Sequence, residues 1–107
     1  MNNLNQIIVE GAVTESSGIK TTVTGSIRTS LTLETKRTYR KAAGSTAEEI
    51  SSFELYAYGR LAEAIAETKG KMLRVVGRLK TETWTDLESQ RKCSKIVIIA
   101  EHVDIIK

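Results

Sequence analysis

Proline is absent from the 107-residue chain, and cysteine, histidine, tryptophan and phenylalanine each occur once. The lone Cys93 excludes an intrachain disulfide and any metal site built from several thiolates. His102 has no His, Cys or Glu partner at ligand spacing, so it reads as an ordinary strand residue near the C-terminus. With no Ser/His/Asp or Cys/His set and no carboxylates at metal-ligand spacing, the sequence predicts a protein that is not an enzyme and needs no cofactor. No stretch supplies the ~20 apolar residues of a membrane-spanning helix. The N-terminal MNNLNQIIVE lacks a basic region leading into an apolar block and a cleavage site, so secretion is not expected. A cytoplasmic location, without membrane association, is the expectation.

Aromatic residues are also scarce, at 5%, whereas Thr, Ile and Val are frequent, which suits a strand-rich protein over a helical bundle. The length fits one hydrophobic core, hence a single domain over residues 1–107. A net charge of +3 is a weak pointer to a polyanionic partner. The distribution of charge says more. Lys36, Arg37, Arg40 and Lys41 surround Tyr39 in KRTYRK, while acids gather at Glu48, Glu49 and around Asp86 and Glu88.

The chain is organised around residues 53–84. Phe53, Leu55 and Ala57 alternate with Glu54, Tyr56 and Tyr58, the period of a strand whose faces meet different environments. The odd positions are expected to face a core and the two tyrosines to stand outside. From Leu61 the period becomes helical, with Leu61, Ala62, Ile65 and Ala66 on one stripe and Gly70 placed to cap a helix of roughly three turns. Met72 to Lys80 alternates again, turning Leu73, Val75, Gly77 and Leu79 inward and Arg74, Arg78 and Lys80 outward as a basic strand face.

Before this unit, residues 5–14 read as a first strand in which Gly11 marks a sharp bend or a close backbone approach. A glycine-bearing turn follows, with a short extended piece at Lys20 to Thr24. Residues 26–35 form a second strand, with Ile27, Thr29, Leu31 and Leu33 on one face and Arg28, Ser30, Thr32 and Glu34 on the other. Residues 36–50 lose all alternation and read as a long hairpin loop, or alternatively as a loop with a helical turn over Ala42 to Ile50. After the central unit, TETWTDLESQRKCS reads as a projecting hairpin carrying Trp84. KIVIIAEHVDIIK closes the chain with a strand buried on both faces for part of its length.

Five strands with one helix between the third and fourth give an all-β OB-fold, a five-stranded Greek-key barrel, although an SH3-like barrel or small sandwich tolerates most of the pattern. With the order and the aromatics together, the chain resembles the bacterial single-stranded DNA-binding protein family. NQIIVEGAV at 5–13 is similar to that family's opening N-x-x-x-L-x-G-x-L strand, and SLTLET at 30–35 followed by Tyr39 to its second strand and loop aromatic. YGRLAEAIAETKGKMLRVVGRLKTETWTD at 58–86 is the most specific part: an aromatic, G-[KR]-x-A-E, K-G and G-x-L-x-T-x-x-W at nearly constant spacing. The likeness runs on through AEHVDII at 100–106.

The resemblance implies base stacking on Tyr39, Tyr58 and Trp84, with Arg60 and Lys69 at basic positions. Tyr56 on the same strand face, Arg37, Arg40 and Lys41 beside Tyr39, and Arg74, Arg78 and Lys80 on the basic strand complete the candidate DNA-binding set. It further implies a homotetramer, or a dimer, acting in replication, recombination or repair. Three departures stand out. Ser52 replaces a frequent tryptophan, Glu54 occupies an often basic position, and Glu82 replaces a basic residue before Trp84, so a lower affinity per subunit is expected. The family's disordered C-terminal stretch with its acidic, Phe-ending tip has no counterpart in these residues, which leaves tail-mediated recruitment of replication enzymes without support. The rival expectations are a primosomal replication protein of the related dimeric OB type and a protein-binding OB module.

Overall fold

The alternation of apolar and polar residues builds one curved sheet in the computed structural model, which describes residues 1–107. Its elements are β1 (Ile7–Ser16), the dipeptide β2 (Lys20–Thr21), β3 (Ile27–Arg40), β4 (Thr46–Tyr58), the helix α1 (Gly59–Ile65), β5 (Met72–Thr85) and β6 (Lys92–Ile105). Strands lie in the order β1-β5-β6-β4-β3-β2, and an additional β1–β3 pairing closes the five long strands into a barrel. This is the OB-fold arrangement. With β2 counted, the helix falls between the fourth and fifth strands; without it, between the third and fourth, as expected.

Closure needs β1 to serve two neighbours, and Gly11 permits it. Ile7 to Ala12 pair with β5, Ala12 to Ser16 pair with β3, and the β1–β3 register slips between Val13 and Glu15. A Cβ on Gly11 would lie 2.4 Å from the Glu34 carbonyl oxygen, so only glycine lets β1 pass β3 this closely. The bend expected at this glycine is therefore a close backbone approach.

Inside the barrel, Val13, Leu31, Leu33, Leu55, Ala57, Leu73, Val75, Ile98 and Ala100 form one cluster, completed by Ala62 and Ile65 of α1. Leu31, Leu33, Leu55, Ala57, Leu73 and Val75 are odd positions of β3, β4 and β5, as their alternation predicts. The apolar run of β6 is buried on both sides: Ile98 enters the barrel core, while Val97 and Ile99 pack with Tyr56 in a second, outer cluster.

Three expectations are corrected. Residues 36–50 are not a long loop: β3 and β4 pair in unbroken register from Arg28↔Tyr58 to Arg40↔Thr46, leaving only residues 41–45 as the turn. Alternation vanishes there because both faces of the ribbon are exposed, not because pairing stops. The helix ends at Ile65 rather than near Gly70. Thr68 Oγ1 donates to the Ile65 carbonyl at 2.7 Å and Ser16 Oγ to the Ala66 carbonyl at 2.6 Å, so side chains take acceptors that another helical turn would use. Phe53 and Leu79 keep the inward alternation but are exposed, because the β3–β4 and β5–β6 hairpins run beyond the barrel wall as free arms. Those arms stretch the molecule to 53 Å against 36 and 35 Å in the other directions.

Candidate nucleic-acid interface

The outer face of the sheet is assembled by register. Across β3 and β4, Arg28 stands opposite Tyr58, Ser30 opposite Tyr56 and Thr32 opposite Glu54. The short parallel contact of β4 with β6 sets Tyr56 beside Ile99. Across β6 and β5, Ile99 faces Arg78, Val97 faces Lys80, Lys95 faces Glu82 and Cys93 faces Trp84. Aromatic rings from two strands and cations from three thus share one surface.

Lys95 joins the two halves of that surface. Its Nζ lies 5.7 Å from the Trp84 ring centre and 5.9 Å from that of Tyr56, and it donates to both Glu54 carboxylate oxygens at 2.9 and 3.1 Å. On the far side of Tyr56, the Arg28 guanidinium carbon sits 4.6 Å from the ring centre. The row Trp84, Lys95, Tyr56, Arg28 therefore alternates ring and cation, an arrangement in which each ring quadrupole attracts its charged neighbour.

The groups perturb one another's ionisation. Partial burial acts to raise the Glu54 carboxyl, but Lys95 and the Tyr56 and Ser30 hydroxyls together outweigh it and hold the group below its usual range. Burial first, and then hydrogen bonding to Glu54, push the Tyr56 phenol up against a smaller opposing effect of Lys95. Bonding to Glu54 pushes the Lys95 ammonium up against a smaller opposing effect of burial. At neutral pH Glu54 and Lys95 are both charged and Tyr56 is neutral.

The expected aromatics fall into two groups. Tyr58 and Trp84 are 40% and 47% exposed, Tyr58 ending β4 at the helix start and Trp84 near the tip of the β5–β6 arm. Asp86 fixes that tip by accepting from the Glu88 amide and the Ser89 hydroxyl, both at 3.1 Å. Tyr56 departs from expectation: it is only 7% exposed, sealed by Val97 and Ile99 from the neighbouring strand. Tyr39 is 45% exposed near the end of the β3–β4 arm, but the unbroken register gives it the alternation of Leu31 and Leu33, not that of Tyr58.

The expected cations divide as well. Lys69 pairs with Glu15, Arg74 with Glu10, Arg78 with Glu101 and Lys80 with Glu82. Arg37, Arg40, Lys41 and Arg60 are exposed and take no part in an ion pair. Sequence reasoning passed over Arg28 and Lys95. Arg28 had a signal, since it stands on the outward alternation of its strand; Lys95 had none, because only the β5–β6 register brings it to Trp84.

The chain compares closely with known proteins. The model of the "Single-strand binding protein family" matches residues 4–106. The single-stranded DNA-binding protein of Aquifex aeolicus is 35% identical over 105 residues, covering 96% of this chain and 70% of that protein. That of Wolinella succinogenes is 29% identical over 104 residues, 95% of this chain and 64% of its own length. The chain thus spans about two thirds of these curated relatives. Among solved structures, a deletion mutant of the single-stranded DNA binding protein from Thermus aquaticus superposes with a TM-score of 0.80 at 25% identity, over 97% of this chain and 51% of that one. The Plasmodium falciparum SSB in complex with ssDNA superposes with a TM-score of 0.80 at 21% identity, over 99% and 96% of the two chains, and shows the same fold. A match running from the first strand to the last, joined to a barrel of this topology, establishes that the chain belongs to the single-strand binding protein family.

Proposed function

We propose that this protein binds single-stranded DNA with little sequence preference and without catalytic activity, shielding it during replication, recombination or repair in the cytoplasm. The observation that carries the reading is that the exposed rings of Trp84 and Tyr58 share one sheet face with the cations Lys95 and Arg28. Every base has a π-face, so exposed rings hold unpaired bases without reading them, while Lys and Arg neutralise the phosphates between. Trp84 and Tyr58 are the stacking rings of this face, and Tyr39 extends the path along the other arm. Arg37, Arg40, Lys41 and Arg60, with Arg28, follow the backbone; Lys69, Arg74, Arg78 and Lys80 contribute less because carboxylates already hold them.

Self-association is part of the proposal. Ile8, Phe53, Leu79 and Ile96 are exposed apolar residues on the strands, a pattern that supports burial between copies of the chain. A homotetramer would link several modest sites, each raising the effective concentration of the strand at the next. Light scattering distinguishes it from the dimer of the primosomal alternative. The binding reading is tested by titrating poly(dT) while following Trp84 fluorescence. Quenching that salt reverses is expected; emission indifferent to poly(dT) at low salt would refute it.

A further inference from the structure

Glu54 is an anomaly on a face proposed to meet a polyanion. Its carboxylate lies inside the ring-and-cation row, bonded twice by Lys95, with Ser30 Oγ 3.5 Å from Oε1. Lys95 is the cation that lies close to both the Trp84 and the Tyr56 rings, at 5.7 and 5.9 Å, yet in the free protein its charge is already answered. Neither member of the pair has a second ionic partner: Glu82, opposite Lys95 across the ladder, is engaged by Lys80 at 3.4 Å. Arg28, beyond Tyr56, is in no ion pair at all.

Resting on the single-stranded DNA reading, we infer that Glu54 is an intramolecular competitor for the phosphate that Lys95 would otherwise hold. A carboxylate and a phosphate offer the ammonium the same kind of charge-assisted bond. Binding therefore exchanges one for the other instead of adding a contact. The pair suits exchange: its side chains retain 40% and 34% exposure, and half-exposed ion pairs are weak enough to open. Once displaced, Glu54 stands as an unpaired anion beside the strand and draws a solvent cation, cancelling about one of the counterions that the nucleic acid releases. Lys95 thus holds the strand at a reduced gain in affinity and adds nothing to the salt slope. The acid lowers both the affinity and the salt dependence of the central site, and eases release.

The test is a double-mutant cycle read by anisotropy of fluorescently labelled oligo(dT) over a salt series, using wild type, Glu54→Gln, Lys95→Gln and the double variant. Glu54→Gln is expected to bind about two- to fivefold more tightly, the range an exposed ion pair covers, and to steepen the slope of log K against log salt by about 0.7, the value of one added phosphate contact on a single strand. Lys95→Gln alone weakens binding but leaves the slope at the wild-type value. Added to Glu54→Gln, it abolishes both gains. Wild-type affinity and slope in Glu54→Gln, or weaker binding with an unchanged melting temperature, overturns the inference. If Glu54→Gln fails to fold, Lys95→Gln decides alone: an unchanged slope supports competition, and a slope shallower by about 0.7 shows Lys95 already free for phosphate and overturns it. Wild type that ignores oligo(dT) sinks the binding reading and this inference together; wild type that binds while Glu54→Gln changes nothing sinks only the inference.

Discussion

The guanidinium of Arg28 caps the ring of Tyr56 at 4.6 Å, while Val97 and Ile99 close the ring from the adjoining strand. Tyr56 is therefore the foundation of the proposed binding face, and Tyr58, two residues on and 40% exposed, lies at its surface. Tyr56→Ala is expected to destabilise the fold by about 3 kcal/mol, the cost of deleting a buried ring. Tyr58→Ala should leave stability within ~0.5 kcal/mol of wild type and weaken DNA binding by ~1–3 kcal/mol, one lost stacking contact. Urea melts beside oligo(dT) titrations of the two variants separate these roles.

Trp84 and Tyr39 sit near the ends of different arms, and each offers a ring without a charge. Trp84→Ala and Tyr39→Ala should each cost ~1–3 kcal/mol in affinity for poly(dT), with the slope against log salt unchanged because no phosphate contact is deleted. Labelled DNA must report, since the tryptophan is gone in one variant. Because Tyr39 has the opposite strand alternation from Tyr58, its effect should add to that of Trp84 rather than overlap it.

Free and paired cations should differ in the same assay. Arg28→Gln, Arg37→Gln or Arg60→Gln removes an uncompensated charge and should flatten the salt slope by about 0.7 each. Arg74→Gln and Arg78→Gln strand a glutamate but remove a charge already neutralised by Glu10 and Glu101, and should move the slope much less. Equal effects from the two sets would mean that Arg74 and Arg78 are already free of their carboxylates before the strand binds.

Why the sequence spoke clearly in some places and not in others follows from what alternation records. A period of two appears where one face of a strand is buried, which holds for Ile7 to Val13, Ile27 to Leu33 and Leu73 to Gly77, and there strands and core positions were legible. Along residues 36–50 both faces meet water, so pairing that rests on backbone hydrogen bonds leaves no apolar trace. Tyr56 and Tyr58 look alike in sequence; only the parallel contact of β4 with β6 brings Val97 and Ile99 over the first and not the second. Lys95 is beyond sequence reasoning for the same reason, since its proximity to Trp84 and Tyr56 is a product of register.

Gly77 tests the barrel that carries the face. The β5–β6 register shifts between Val76 and Gly77, and a Cβ at Gly77 would lie 2.1 Å from the Ile99 carbonyl oxygen. The obstructing atom is backbone in a continuous ladder, so the strand itself must move. Gly77→Ala is expected to lose about 3 kcal/mol, the upper end of overpacking costs, and to perturb Ile99 and with it the seal over Tyr56. Gly44→Ala, with open space around its Cβ, should cost only about 1–2 kcal/mol for its left-handed φ of 92°. A denaturation comparison ranks the two, and a milder Gly77 variant would show that the bulge can relax.

Acid should reveal the Glu54–Lys95 pair in the free protein. A carboxyl whose folded pKa lies below its unfolded value stabilises the fold fully above the unfolded value and loses that contribution as the pH falls through the folded one. For Glu54 the ordinary value is 4.5 and the folded value is lower, so the contribution is complete at neutral pH and disappears on the acid side of 4.5. Lys95 works in the opposite sense: its pKa is raised above 10.5, so its contribution is complete below that value and is lost as the pH climbs through the folded value. Between the two limits the pair is intact, and the competition for Lys95 operates across that whole interval. In Glu54→Gln the acid-side loss is absent. Melting temperatures of wild type and variant, followed by circular dichroism from neutral pH downward, should therefore converge as Glu54 takes up its proton. The size of the gap at neutral pH is small, because the pair is substantially exposed. Curves that stay parallel through the carboxylate range would show that Lys95 gives Glu54 no stabilisation in the free protein.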